Sequence, residues 1–175
     1  MIPDDVPEDQ IDGLPLDVIL AVDGRALRRD LVARLRKLPY PAYLGCLSLC
    51  IDDIRTMYGE RVFGPGEQLV NRTLELIRAA ATGAAVKHSA KRLWRQWLDY
   101  MGNPGPEQLA DTDLPVMVRS PCTTAVLELI GPQDRDAAST VADAAYKGNR
   151  ETNLIPGDNV RRLMKFIAWT RKAES

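Results

Sequence analysis

Apolar positions along this chain recur at spacings of three and four, with Gly and Pro breaking the pattern at intervals. That period puts apolar side chains on one side of an α-helix. Arg25 to Leu38 reads as a helix lined by Leu27, Leu31, Val32, Leu35 and Leu38; Pro39 and Pro41 stop it and start the next. Ala42 to Glu60 carries the strongest pattern. On a helical wheel Tyr43, Leu44, Cys46, Leu47, Cys50, Ile51, Ile54, Met57 and Tyr58 share an arc of roughly 160°. Ser48, Asp52, Arg55 and Thr56 fall on the opposite, solvent side.

Glu67 to Thr82 predicts a further helix, with Gly83 as its stop. His88 to Met101 predicts another, with Ala90, Leu93, Trp94, Trp97, Leu98 and Met101 facing inward. Residues 102–106 break the chain, and Glu107 to Val118 reads mostly as loop. Ser120-Pro121 reads as N-cap and first helical position of a helix to Ile130, whose only charge is Glu128. Its apolar coverage makes it central. Gln133 to Lys147 is an alanine-rich helix suited to close approach, and Pro156-Gly157-Asp158 introduces a last one. Leu16 to Val22 fits either a short strand or a helical turn. The expectation is an all-α, single-domain bundle of about seven helices with short loops. It spans residues 16–175, preceded by an acidic arm (1–15) expected to be mobile or loosely packed.

Composition agrees. A chain of 175 residues, 45% hydrophobic and 27% charged, suits one globular domain. The longest apolar run, Val18 to Val22, is far shorter than the ~20 residues of a membrane helix. The start of the chain is acidic where a secretory signal is basic, and three cysteines fit a reducing compartment, so a cytoplasmic location is the expectation.

Charge is unevenly placed. Residues 1–23 hold seven acids (Asp4, Asp5, Glu8, Asp9, Asp12, Asp17, Asp23) and no base, leaving 17 of the 24 acids against all 23 bases. Such an arm either lies across the basic body or engages a basic partner. Arg25, Arg29 and Arg36 fall within about 40° of one another on a helical wheel. Lys87, Lys91, Arg92 and Arg95 add a second basic cluster. Trp169 lies opposite Val160 on its helix, between Arg162 and Lys165. It is either packed under those basic stems or an anchor in a partner interface.

Candidate chemistry is sparse, and no cofactor is implied. Cys46, Cys50, His88 and Cys122 are the only soft ligands, and the cysteine pair lies on the apolar seam of its helix, which favours packing over zinc. Asp52-Asp53 point about 100° apart on a helix, so their carboxylates do not converge. Gly64-Pro65-Gly66 lacks the lysine and spacing of a phosphate loop. No residue is assigned a catalytic or metal-binding role, and enzymatic activity is not expected.

The segment Ala42-Tyr43-Leu44-Gly45-Cys46-Leu47-Ser48-Leu49-Cys50-Ile51-Asp52-Asp53, followed by Met57-Tyr58 and an alanine-rich helix, resembles the opening of small all-helical bacterial immunity proteins and related uncharacterised helical families. The resemblance extends over about residues 40–147. It implies a protein that neutralises a co-produced toxin by binding it, and it transfers no site residue. The first expectation is therefore a cytosolic protein-binding module using Asp4, Asp5, Glu8, Asp9, Asp12, Arg25, Arg29, Arg36, Arg162, Lys165 and Trp169. The alternatives are an enzyme or small-ligand protein with a pocket lined by Tyr43, Trp94 and Trp97, and a nucleic-acid-binding module.

Overall fold

The computed structural model describes residues 6–58, 64–102, 114–131, 134–148 and 155–175. Among these residues it is all-helical, with nine helices and no strand. They are α1 (Glu8–Ile11), α2 (Leu16–Leu20), α3 (Gly24–Lys37), α4 (Tyr40–Thr56), α5 (Pro65–Ala81), α6 (Lys87–Met101), α7 (Val116–Ile130), α8 (Asp136–Lys147) and α9 (Asp158–Glu174). The two helices beyond the expected seven are α1 and α2, each barely more than a turn. The ambiguous Leu16 segment is thus helical, and only Ile19 of that helix is buried.

The long helices pack in two rows. One runs α3–α8–α7–α6 and the other α9–α4–α5, with α4 also touching α7 and α8. The central place of α4 follows from its sequence, because apolar residues occupy so much of its circumference. Tyr43, Leu44, Cys46, Leu47, Cys50, Ile51 and Ile54 are all buried. Pro39 and Pro41 start it, since a proline in the first turn removes only an amide that has no helical partner. Ser48, placed on the solvent side by the wheel, is buried. Its hydroxyl donates to the Gly45 carbonyl (2.8 Å), which satisfies it in place. At α3, Asp23 caps the amides of Arg25 and Ala26 at 3.0 and 3.2 Å.

Three boundaries or faces differ from expectation. Helix α7 begins at Val116, so Pro121 lies inside it rather than at its first position. Pro115 precedes the helix, and the Pro121 ring is buried in the core. Leu98, expected to face inward, is half exposed, and Trp94 is only partly buried, whereas Ala90, Leu93 and Trp97 are enclosed. The arm is not loosely packed over residues 6–14: Val6 and Ile11 belong to the core. Asp4 and Asp5, and residues 59–60, 103–113 and 149 of the expected loops and helix ends, lie outside the described residues.

The alanines of α8 behave as their size suggests. Ala137, Ala138, Ala142, Ala144 and Ala145 are buried where α8 meets α7 and α3. Gly157, just before α9, has φ +82°, and a Cβ there would lie 2.6 Å from Ile19 Cγ2. Only glycine meets both demands.

Candidate partner-binding surfaces

The interior is chemically closed. Glu128, the single acid in the C-terminal part of α7, is buried. Tyr43 donates its hydroxyl to the Glu128 carboxylate (2.8 and 3.0 Å to the two oxygens), and the Ala137 amide donates to Oε1 (2.6 Å). Burial raises the Glu128 carboxyl above its ordinary value, and these two donors pull it partly back. Burial, then the adjacent carboxylate, raises the Tyr43 hydroxyl. The Arg135 guanidinium lies 4.7 Å from the centre of the Tyr43 ring, and donates to the carbonyls of Leu35, Arg36 and Leu38 at 2.7–3.1 Å. It therefore adds a donor to the carbonyls at and just beyond the end of α3, where the intrahelical ladder runs out.

A second internal pin joins α5 to α6. Trp97 Nε1 donates to Thr73 Oγ1 (3.1 Å), whose own hydroxyl donates to the Leu69 carbonyl (2.7 Å). Tyr43 and Trp97 thus spend their polar atoms inside a packed core and have no exposed surface. Among the described residues, Tyr43 and Trp97 are engaged with Glu128 and Thr73 on different helices, while Trp94 is partly exposed.

The cysteines sit in the same core. Cys46 directs its thiol toward the Trp169 carbonyl (3.6 Å). Burial pushes Cys46 up to about 11, Cys122 up to about 12, and Cys50 well above its ordinary value. His88 is exposed on α6. Among the described residues no group of three or more His, Cys, Asp or Glu side chains is placed to hold a metal ion. Asp52 and Asp53 face apart as the wheel requires. Asp52 pairs with Arg55 (2.6 Å), while Asp53 reaches Arg162 on α9 (2.7 Å) and so ties two helices together rather than simply facing solvent.

The arm lies along α9. Trp169 Nε1 and Lys172 Nζ both donate to the Glu8 carboxylate, at 2.7 and 2.6 Å. Lys165 pairs with Asp12 (3.0 Å), and Asp9 is exposed. Arg161 donates to the carbonyls of Ile11 and Leu14, and Arg171 to that of Val6. The Trp169 ring stacks on Phe166 with centroids 5.2 Å apart. Of the residues proposed for partner contact, Glu8, Asp12, Lys165 and Trp169 therefore meet one another within the chain. Arg162 is largely covered and paired with Asp53 and Asp158.

The remaining basic clusters are open. Arg25, Arg29 and Arg36 are exposed on α3, as their wheel positions require, and Arg36 reaches Ser139 at 3.3 Å. Lys87, His88, Lys91, Arg92 and Arg95 are all exposed on α6. Among the described residues, none of these α3 and α6 bases makes an ion pair. The first turn of α6 has no acid and no side-chain cap, so its bases add to the positive end of the helix dipole. A shallow groove of about 310 Å³ separates α6 from α5 and is lined by Arg72, Leu76, Ser89, Arg92, Leu93 and Gln96. Arg72 donates to Gln96 across it (3.0 Å).

Glu128 could have been singled out from the sequence as a lone acid among apolar neighbours. Nothing local marks Arg135, Arg161 or Arg171, because their acceptors are backbone carbonyls distant along the chain. No helix of the described residues is long and apolar enough to cross a membrane. No family model, curated protein or solved structure matches the chain.

Proposed function

We propose that this chain is a non-enzymatic helical protein that binds a partner protein through charged surface, and that the contacting surface of the partner is acidic. The observation that carries this is the exposed basic side of α6, whose bases have no ion pair among the described residues and one of which, Arg92, lines the groove against α5. Placing cations at a helix N-terminus opposes the helix dipole. A sequence that accepts such a local cost gains when an acidic partner supplies the missing charge. Two acids of the arm, Glu8 and Asp12, are already matched by α9, which favours the α6 side as the contacting surface. The most concrete form of the proposal is an immunity protein that covers the active site of a cognate toxin.

Co-purification from the native host tests it. The wild-type chain should retain a stoichiometric protein partner at low salt. A Lys91→Glu/Arg92→Glu/Arg95→Glu variant of equal stability should lose it. Equal retention by the variant would overturn the assignment to α6. Loss of the complex on nuclease treatment would instead favour nucleic acid, the other polyanion this surface suits.

A further inference from the structure

The face of α9 that holds the arm has the chemistry of a peptide-binding site. Arg161, Lys165, Trp169 and Lys172 recur at helical spacing and donate to the arm from one side of the helix, with Arg171 beside them. Their acceptors fall into two kinds. The carbonyls of Val6, Ile11 and Leu14 are groups that any peptide offers. The Glu8 and Asp12 carboxylates, with the buried Val6 and Ile11 side chains, are what distinguish this segment. A bound sequence must therefore place an acid two residues after one apolar anchor, and a second anchor three residues further on. Trp and Arg at its centre are the residue types most enriched where binding energy concentrates.

The arm does not fill this surface. An open groove of about 920 Å³ runs between Glu8, Asp9 and Asp12 of the arm and Lys165, Arg171 and Lys172 of α9. A second acidic segment can engage these cations at the groove before the arm leaves. Helix α1 packs on α9, and Asp12 is 72% exposed within its ion pair, so much of the charged contact is open to competition.

We infer that this face of α9 is a docking site for an acidic, apolar-anchored peptide segment of a partner, with the arm as its intramolecular competitor. The site is separate from the basic side of α6, so the two proposals fail independently. In the arm-bound state the site is occupied at the high effective concentration of a tethered ligand. A partner segment therefore binds more tightly when the arm is weakened.

The test uses the full chain and a fluorescein-labelled synthetic peptide of residues 6–14, read by anisotropy. Glu8→Gln in the protein, which removes the charge facing the largely exposed Lys172, should strengthen peptide binding about two- to fivefold over wild type, the factor expected for one exposed ion pair lost by the competitor. The same substitution placed in the peptide should weaken its binding, and added salt should weaken binding of the unmodified peptide. Asp12→Asn provides a second weakened arm should Glu8→Gln not fold by circular dichroism. The inference is overturned if the peptide fails to bind either weakened variant at millimolar concentration, or if a scrambled neutral peptide binds equally well.

Discussion

Replacing Tyr43 by phenylalanine removes a single oxygen and leaves Glu128 buried with one donor, the Ala137 amide, in place of two. The ring, its contact with Arg135 and its packing on Tyr40 are retained. The loss is thus that of a hydrogen bond to a buried charged group, about 1.5–3 kcal/mol. For a chain of this length it corresponds to a fall in Tm of roughly 3–12 °C.

The pH dependence gives the sharper check. Burial raises the Glu128 carboxyl in the folded state above the ordinary 4.5. Its favourable contribution is therefore fully present below the unfolded value and lost as pH rises through the folded one. Tyr43 favours the charged form, so removing its hydroxyl raises the folded value further and widens that window upward. The deficit of Tyr43→Phe should accordingly grow as pH rises from the unfolded value through the folded one, as measured by urea unfolding of both proteins across that range. A deficit below about 0.5 kcal/mol at the alkaline end, or one that does not change with pH, would refute the account of Glu128 as a buried carboxylate held by its donors.

Three further outcomes are expected. Arg135 has φ 54°, a conformation glycine adopts freely, so Arg135→Gly removes the side chain without backbone strain; losing its bonds to the carbonyls of Leu35, Arg36 and Leu38 and its contacts with the Tyr40 and Tyr43 rings should cost at least about 2 kcal/mol in urea unfolding. Gly157→Ala forces a Cβ to 2.6 Å from Ile19 Cγ2 at φ +82° and should lower stability by about 1–3 kcal/mol, visible as a lower thermal midpoint. With the thiols of Cys46 and Cys122 pushed up to about 11 and 12 and Cys50 raised well above its ordinary value, a disulfide reagent at about pH 8 should label the native chain only at the rate of its unfolding, and all three cysteines at once in denaturant.

The long helices were legible because each carries a local signal. The seam through Tyr43, Leu47, Cys50 and Ile54 repeats at helical period, and Pro39 with Pro41 marks where α4 begins. The start of α7 was misplaced at Ser120 because a proline near a helix start has the same local signature as one a turn inside it. Ser48 sits only about 40° beyond the edge of the apolar arc, and a serine that bonds its own helix backbone can be buried there. The basic α3 and α6 faces were recognised from charge and spacing alone. The pairing of the arm with α9 was legible only as a tendency of opposite charges to meet, without the positions at which they do.

What the sequence by itself determined is the all-α class, the order of the long helices, the apolar seam of the cysteines and the separation of acidic from basic segments. These depend on neighbours three and four residues apart and on composition, both of which are written along the chain. The tertiary structure alone decided which charges remain available. Glu128 meets Tyr43 across 85 residues, and Trp169 meets Glu8 across 161, so neither partnership has a local pattern. Those long-range contacts consume much of the arm and the Trp169 face within the molecule and leave the bases of α6 exposed. A charge that folding leaves without a partner is directly available for binding, whereas one that folding has paired, as on the Trp169 face, must first be released.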